Sequence, residues 1–247
     1  MLDAWLDLAH GAACAACLEP GRLLCRACDG DLPADGYQVW PDPCPVGLAP
    51  AFACGEYAGP LRALIVAHKE HRAFALARPL GRLLAGALEG GLGGVVSTGS
   101  TTGGGSTAEG VRVLLVPVPS RPSVVRARGH DPMLRVTRFA ATRLRARGSD
   151  VRVLSLVRQR ELVADQAGLT ALARAANLAD SMAADRAALA GAARVRRRTV
   201  AFLCDDVITT GSTAREAQRA LEDVGVPLGA IACIAATRKR VGAGHWQ

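Results

Sequence analysis

Asp205 and Asp206 stand side by side at the end of the apolar run 200–204, and Thr209, Thr210, Gly211, Ser212 and Thr213 follow them. An apolar strand, an acidic pair, a loop of small hydroxyl residues and a helix in that order form a recognisable ligand-binding unit. In open α/β sheets, ligands bind beyond the carboxyl ends of the strands. Consecutive backbone N–H groups in such a loop, backed by the positive N-terminal end of the next helix, make a phosphate cradle. A glycine at position 211 lets the backbone come close to the ligand. The two carboxylates would repel the phosphate itself. They suit neighbouring hydroxyls such as a ribose diol, or a Mg²⁺ ion bound to them. Phosphate, diol and magnesium together describe a sugar phosphate. The competing glycine-rich phosphate loop, G-x-x-x-x-G-K-[ST], is absent from this stretch, which has no nearby lysine. A plain helix cap would need one hydroxyl residue and no paired aspartates.

A second chemical group lies near the N-terminus. Cys14 and Cys17 form one C-x2-C pair, and Cys25 and Cys28 form another. Four thiolates at that spacing converge on one tetrahedral ion and close its shell, so the expected Zn²⁺ is structural. Cys44 lacks a C-x2-C partner because Gly47 stands in that place, and Cys54 is isolated, so a second metal site is not expected. Cys204 and Cys233 lie in apolar runs and read as small buried residues.

Residues 201–213 closely resemble the 5-phosphoribosyl-1-pyrophosphate (PRPP) motif of type I phosphoribosyltransferases. The resemblance implies that Asp205 and Asp206 face the ribose hydroxyls, and that Thr209, Thr210, Gly211, Ser212 and Thr213 hold the 5′-phosphate. Further elements extend it: the two C-x2-C pairs, "Y-x-G-x-L-R" at 57–62, "VPVP" at 116–119, "RG" at Arg128 and Gly129, and a spaced set at Gln166, Leu169, Arg174 and Asn177. In that order they resemble the ComF/GntX family of competence-associated phosphoribosyltransferase-like proteins. By resemblance, Ser120 and Arg121 line a pyrophosphate loop and Arg174 contacts a phosphate. Lys69 falls where the family usually has a lysine, and a salt-bridged helix residue explains it equally well. His130, Asp131 and Pro132 depart from the family pattern, and His130 reads as a surface residue.

Elements must hold these groups in place. Before about residue 56 the chain carries six of its eight cysteines, together with Pro33, Pro41, Pro43, Pro45 and Pro50, which reads as a small metal-stapled module over 1–56. Residues 57–247 then read as the phosphoribosyltransferase-like domain. Apolar residues at helical spacing predict two helices broken near His71 or Pro79. The Gly/Ser/Thr-rich stretch 90–110 reads as a flexible insertion. Further expectations are a strand over 111–120, an Arg-rich helix from Asp131, a short strand near 151–159 and a helix over about 169–189. A strand over 199–204, a helix over about 212–224 and a last strand complete the set. Strands alternating with helices imply an α/β fold: a mostly parallel sheet flanked by helices, type I phosphoribosyltransferase-like, with the small zinc-binding module at its N-terminus.

Half of the residues are hydrophobic, which excludes a disordered chain, and no apolar run reaches the roughly 20 residues of a membrane span. A cytoplasmic protein without membrane insertion is expected. The formal charge of +8 favours anionic partners. Three function classes remain open at this point. The first is a phosphoribosyltransferase acting on PRPP·Mg²⁺ and a nitrogen acceptor. The second is a DNA-uptake accessory that binds single-stranded DNA or the competence helicase machinery, with the arginines at 194 and 196–198 as contacts. The third is a sensor that binds PRPP without turning it over.

Overall fold

Apolar stretches without interruption form the inner strands, because a parallel sheet covered on both faces has no solvent side. The structure, a computed structural model, describes residues 13–98, 111–120, 122–160, 180–192 and 198–237. The chain runs α1 (Arg26–Gly30), β1 (Tyr37–Val39), β2 (Ala51–Glu56), α2 (Gly59–Glu70), a 3-10 turn (Phe74–Leu76) and α3 (Ala77–Thr98). Then come β3 (Val111–Pro117), α4 (Pro122–Arg128), α5 (Pro132–Ala146), β4 (Val151–Val153), β5 (Val157–Gln159) and β6 (Met182–Ala184). Last are α6 (Arg186–Ala192), β7 (Arg198–Ile208), α7 (Ser212–Glu222) and β8 (Leu228–Ala236).

Six strands form one sheet in the order β1-β2-β8-β7-β3-β4. All neighbours are parallel except β1, which runs antiparallel to β2 at the edge. Side chains alternate across the strands. Phe202 and Cys204 join a core built with α2, α3 and α5 on one face, and Ala201 and Leu203 join a core with α7 on the other. β5 and β6 form a separate antiparallel pair on the α7 side. Among the described residues, no helix is long and apolar enough to cross a membrane.

The structure departs from the sequence reading in four places. The strand expected near 151–159 is two strands: Leu154 N–H bonds back to Leu115 O, and Leu156 O accepts from Asp185, so the chain leaves one sheet for the other. The helix expected over 169–189 does not extend through its last third. Met182–Ala184 is a strand paired with β5, and α6 begins only after Asp185 caps Ala187 and Ala188 with its carboxylate. The glycine-rich stretch at 90–98 is helical, as the end of α3. Finally, β1 and β2 of the cysteine-rich segment belong to the main sheet, where Ala51 pairs with Ile231.

Candidate functional site

The crossover from β3 leads outward to β4, whereas the crossover from β7 leads the opposite way to β8. β3 and β7 are neighbours, so the direction of winding reverses between them, and a crevice opens at their carboxyl ends. β3 stops where Pro117 pairs with Cys204, but β7 continues beside β8 as far as Ile208 opposite Ala236. Asp205 and Asp206 therefore sit in the last turns of a strand that has lost one neighbour, not in the loop after it. This extends the expected strand end from residue 204 to Ile208.

The pair straddles the sheet. Asp206 faces the α2 side, where Lys69 Nζ donates to its Oδ2 at 2.5 Å and the amide of Val207 donates to its Oδ1 at 2.9 Å. Asp205 pairs in register with Cys233 of the α7-side core, and its Oδ1 accepts from the Asp206 amide at 2.9 Å. Burial first, and then the neighbouring Asp206 carboxylate, push the Asp205 carboxyl up to about 8. The pair thus combines a carboxyl that holds its proton near neutrality with a carboxylate matched to a lysine.

Thr209, Thr210, Gly211, Ser212 and Thr213 follow directly. Gly211 is the N-cap of α7 in the left-handed conformation, with φ 70, and no side chain caps the helix. The first-turn N–H groups of α7 lack intrahelical partners by the geometry of any helix. Thr210 Oγ1 and Ser212 Oγ share a hydrogen bond of 3.0 Å beside them. On the α2 side a cleft of about 320 Å³ is lined by Tyr57, Ile65, Val66, Lys69, Glu70, Asp206, Val207 and Thr209. It joins the carboxylate at 206 to the start of the hydroxyl loop, and its lining mixes apolar Ile65, Val66 and Val207 with charged Lys69, Glu70 and Asp206.

Ser120 lies half-buried in the loop leaving β3, where Val118 N–H donates to Cys204 O at 2.8 Å and Pro119 O accepts from Gln159 Nε2 at 3.3 Å. Arg121, Arg174 and the arginines at 194, 196 and 197 lie outside the described residues. His130 is half-buried against Phe74, with ring centroids 4.4 Å apart, rather than a plain surface residue. Sequence reasoning missed two features of the site. One is the pairing of Lys69 with Asp206, across 137 residues of chain. The other is the enclosure of Gly211 by Pro41, Pro45 and Leu48. Neither has a local signal beyond the prolines themselves.

The four cysteines expected to ligate do come together. The sulfurs of Cys14, Cys17, Cys25 and Cys28 all lie within 4.8 Å of one another, an arrangement that can hold one structural zinc. Cys17 Sγ and Cys25 Sγ are 3.7 Å apart. Backbone N–H groups point at sulfur, from Cys25 to Cys14 Sγ and from Cys28 to Cys25 Sγ, each at 3.4 Å. Burial raises the Cys14 thiol, but the amides of Cys25, Cys17 and Ala16 outweigh it and bring it down to about 6. Hydrogen bonds to the sulfurs of Cys25 and then Cys17 favour the protonated Cys28 and push its thiol well up. Cys44 is exposed and Cys54 is buried with its thiol on Leu83 O at 2.9 Å, both outside the cluster. Burial raises Cys204 and Cys233, which suits inert core residues.

No protein-family model matches the chain, and a search of curated proteins finds no match to it.

Proposed function

We propose that the protein binds PRPP, or a closely related sugar phosphate, at the β7–α7 junction, and that it acts as a phosphoribosyltransferase on a nitrogen acceptor. The observation that carries this reading is the placement of Asp205, Asp206 and the uncapped start of α7 at the reversal point of a parallel sheet. The type I phosphoribosyltransferase-like fold, resting on the motif at 201–213, and the ComF/GntX kinship, resting on the ordered set of elements that ends in that motif, are part of the same proposal.

In this reading the N–H groups of Ser212 and Thr213, with the hydroxyls of Thr210 and Ser212, take the 5-phosphate. The Asp206 carboxylate accepts from one ribose hydroxyl. The Asp205 carboxyl, which holds its proton near neutrality, donates to or accepts from the other. The carboxylate of Asp206, and that of Asp205 once it gives up its proton, fit a hard cation, and bound Mg²⁺ would supply charge for the leaving pyrophosphate. The sugar carbon then loses pyrophosphate and gains a bond to nitrogen. The chain's residues contribute positioning and electrostatic stabilisation rather than covalent chemistry. The cysteine cluster, as a zinc site, is structural.

Pyrophosphate release from PRPP, followed by ³¹P NMR with a panel of nitrogen nucleophiles, tests the transferase. Acceptor-dependent release is expected. Tight PRPP binding with no release for any acceptor would instead make the protein a sensor.

A further inference from the structure

Gly211 is closed in by carbon atoms from a distant part of the chain. A Cβ at this position would meet Leu48 Cδ2 at 2.9 Å, Pro41 Cγ at 3.1 Å and Pro45 Cδ at 3.2 Å. These atoms belong to the connection between β1 and β2, which crosses over the start of α7. One face of α7 is given over to holding that connection. Gln218 Oε1 accepts from Ala49 N–H at 2.9 Å, and its Nε2 donates to Gly47 O at 2.9 Å and to Glu222 Oε1 at 2.7 Å. Arg215 Nε donates to Val46 O at 3.3 Å, and its Nη1 pairs with Glu222 at 3.2 Å. Positions 211, 215, 218 and 222 are spaced by four, three and four, a single stripe on the helix. Gln218 is only 5% exposed, and both ends of its amide are used.

We propose, on the basis of the sugar-phosphate reading above, that residues 41–48 are a strap that fixes the phosphate cradle in its binding geometry, and that Gln218 is the positioning residue that seats the strap. The atoms the strap presses on Gly211 are all carbon. They fill the space behind the glycine and offer no acceptor to the N–H groups of Ser212 and Thr213, so the strap supports the cradle without occupying it. A loop already held in its bound shape loses little freedom when the ligand arrives, and affinity gains by that amount. Without the amide of Gln218, Ala49 N–H and Gly47 O lose their partners and the strap loses its seat. Gly211 would then be free to leave its left-handed conformation, and the two N–H groups behind it would no longer converge.

The test uses ribose 5-phosphate as the probe of the cradle, with PRPP alongside. In Gln218→Leu the affinity for ribose 5-phosphate should fall about tenfold, the loss expected when one to two hydrogen bonds that hold a binding loop are removed. Leu48→Ala reaches the strap from its other side, touches none of the α7 hydrogen bonds, and should weaken the same probe in the same direction. Amide hydrogen exchange should quicken at 211–213 in both variants, while β3 and β8 stay protected and the metal content of the cysteine cluster is unchanged. A merely structural role would instead loosen the sheet with the loop. Either folded variant binding the probe with wild-type affinity would overturn the proposal, as would a gain in affinity, which would make the strap a block. Wild-type protein that binds neither ribose 5-phosphate nor PRPP would overturn the sugar-phosphate reading, and the strap with it.

Discussion

Asp205 and Asp206 share a peptide bond, yet Asp206 meets Lys69 on the α2 side while Asp205 is turned toward the α7-side core. The consequence is a pH signature. Asp205 rises from 3.8 to about 8 on folding, so between those values the folded chain holds a proton that the unfolded chain has lost. Its contribution to stability therefore falls as pH rises through that window. Buried His68 acts in the opposite sense: burial lowers it from 6.5, so acid favours the unfolded chain and stability grows with pH up to that value. Asp205→Asn removes only the first effect. Its denaturation midpoint should gain on the wild type between about pH 5 and about pH 8, and parallel curves would refute the raised carboxyl. The acidic pair and the hydroxyl loop were legible from residue types and order alone. The split of the pair between two faces was not, because it depends on β7 continuing beside β8 for four residues past the end of β3.

At the scale of elements, the second long helix shows why composition misled at 90–98. Glycines there read as flexible, but together with Gly86 upstream several form a packing seam. The backbone of Ala34 crosses α3 against Gly86, and a Cβ at Gly91 would meet Phe202 at 3.0 Å and Ala230 at 3.2 Å. A helix that must let another backbone lie against it uses glycine for close approach, and the sequence shows the same letter for both purposes. Gly86→Ala should cost about 1–3 kcal/mol through overpacking against Ala34 and Cys54. Gly93→Ala, with nothing within 4 Å of the new methyl, should be neutral or stabilise by up to about 1 kcal/mol. Chemical denaturation of the two variants checks this pair, and equal effects would mean that the seam is misplaced. The strap over Gly211 belongs to the same lesson. Three prolines at 41, 43 and 45 exclude a helix, but they do not say which surface the loop lies on.

Across the whole molecule, the cysteine lobe is joined to the sheet domain rather than tethered to it. Arg82 of α3 holds the Asp29 carboxylate at 2.8 Å and its carbonyl at 3.0 Å, and Leu23, Leu24 and Leu32 pack against the core beneath α2 and α3. Metal removal should therefore lower the unfolding midpoint of the whole chain, beyond the lobe itself. Metal analysis should find about one zinc per chain. Chelation should expose Cys14, Cys17, Cys25 and Cys28 to thiol reagents while Cys54, Cys204 and Cys233 stay protected in the core. Metal-free protein of unchanged stability would contradict the cluster's structural role. Alternation of strands and helices was enough to read a parallel sheet. Strand order was not readable, since pairs such as Ala51 with Ile231 join the two ends of the chain and leave no local trace.

The central claim is a sugar-phosphate site at the end of β7, and isothermal titration with PRPP tests it most directly. Wild-type protein should bind PRPP in the presence of Mg²⁺ and lose most of that affinity without the metal. The double variant Asp205→Asn with Asp206→Asn should keep its fold, by circular dichroism, and lose binding. PRPP affinity unchanged in that folded double variant would contradict the account.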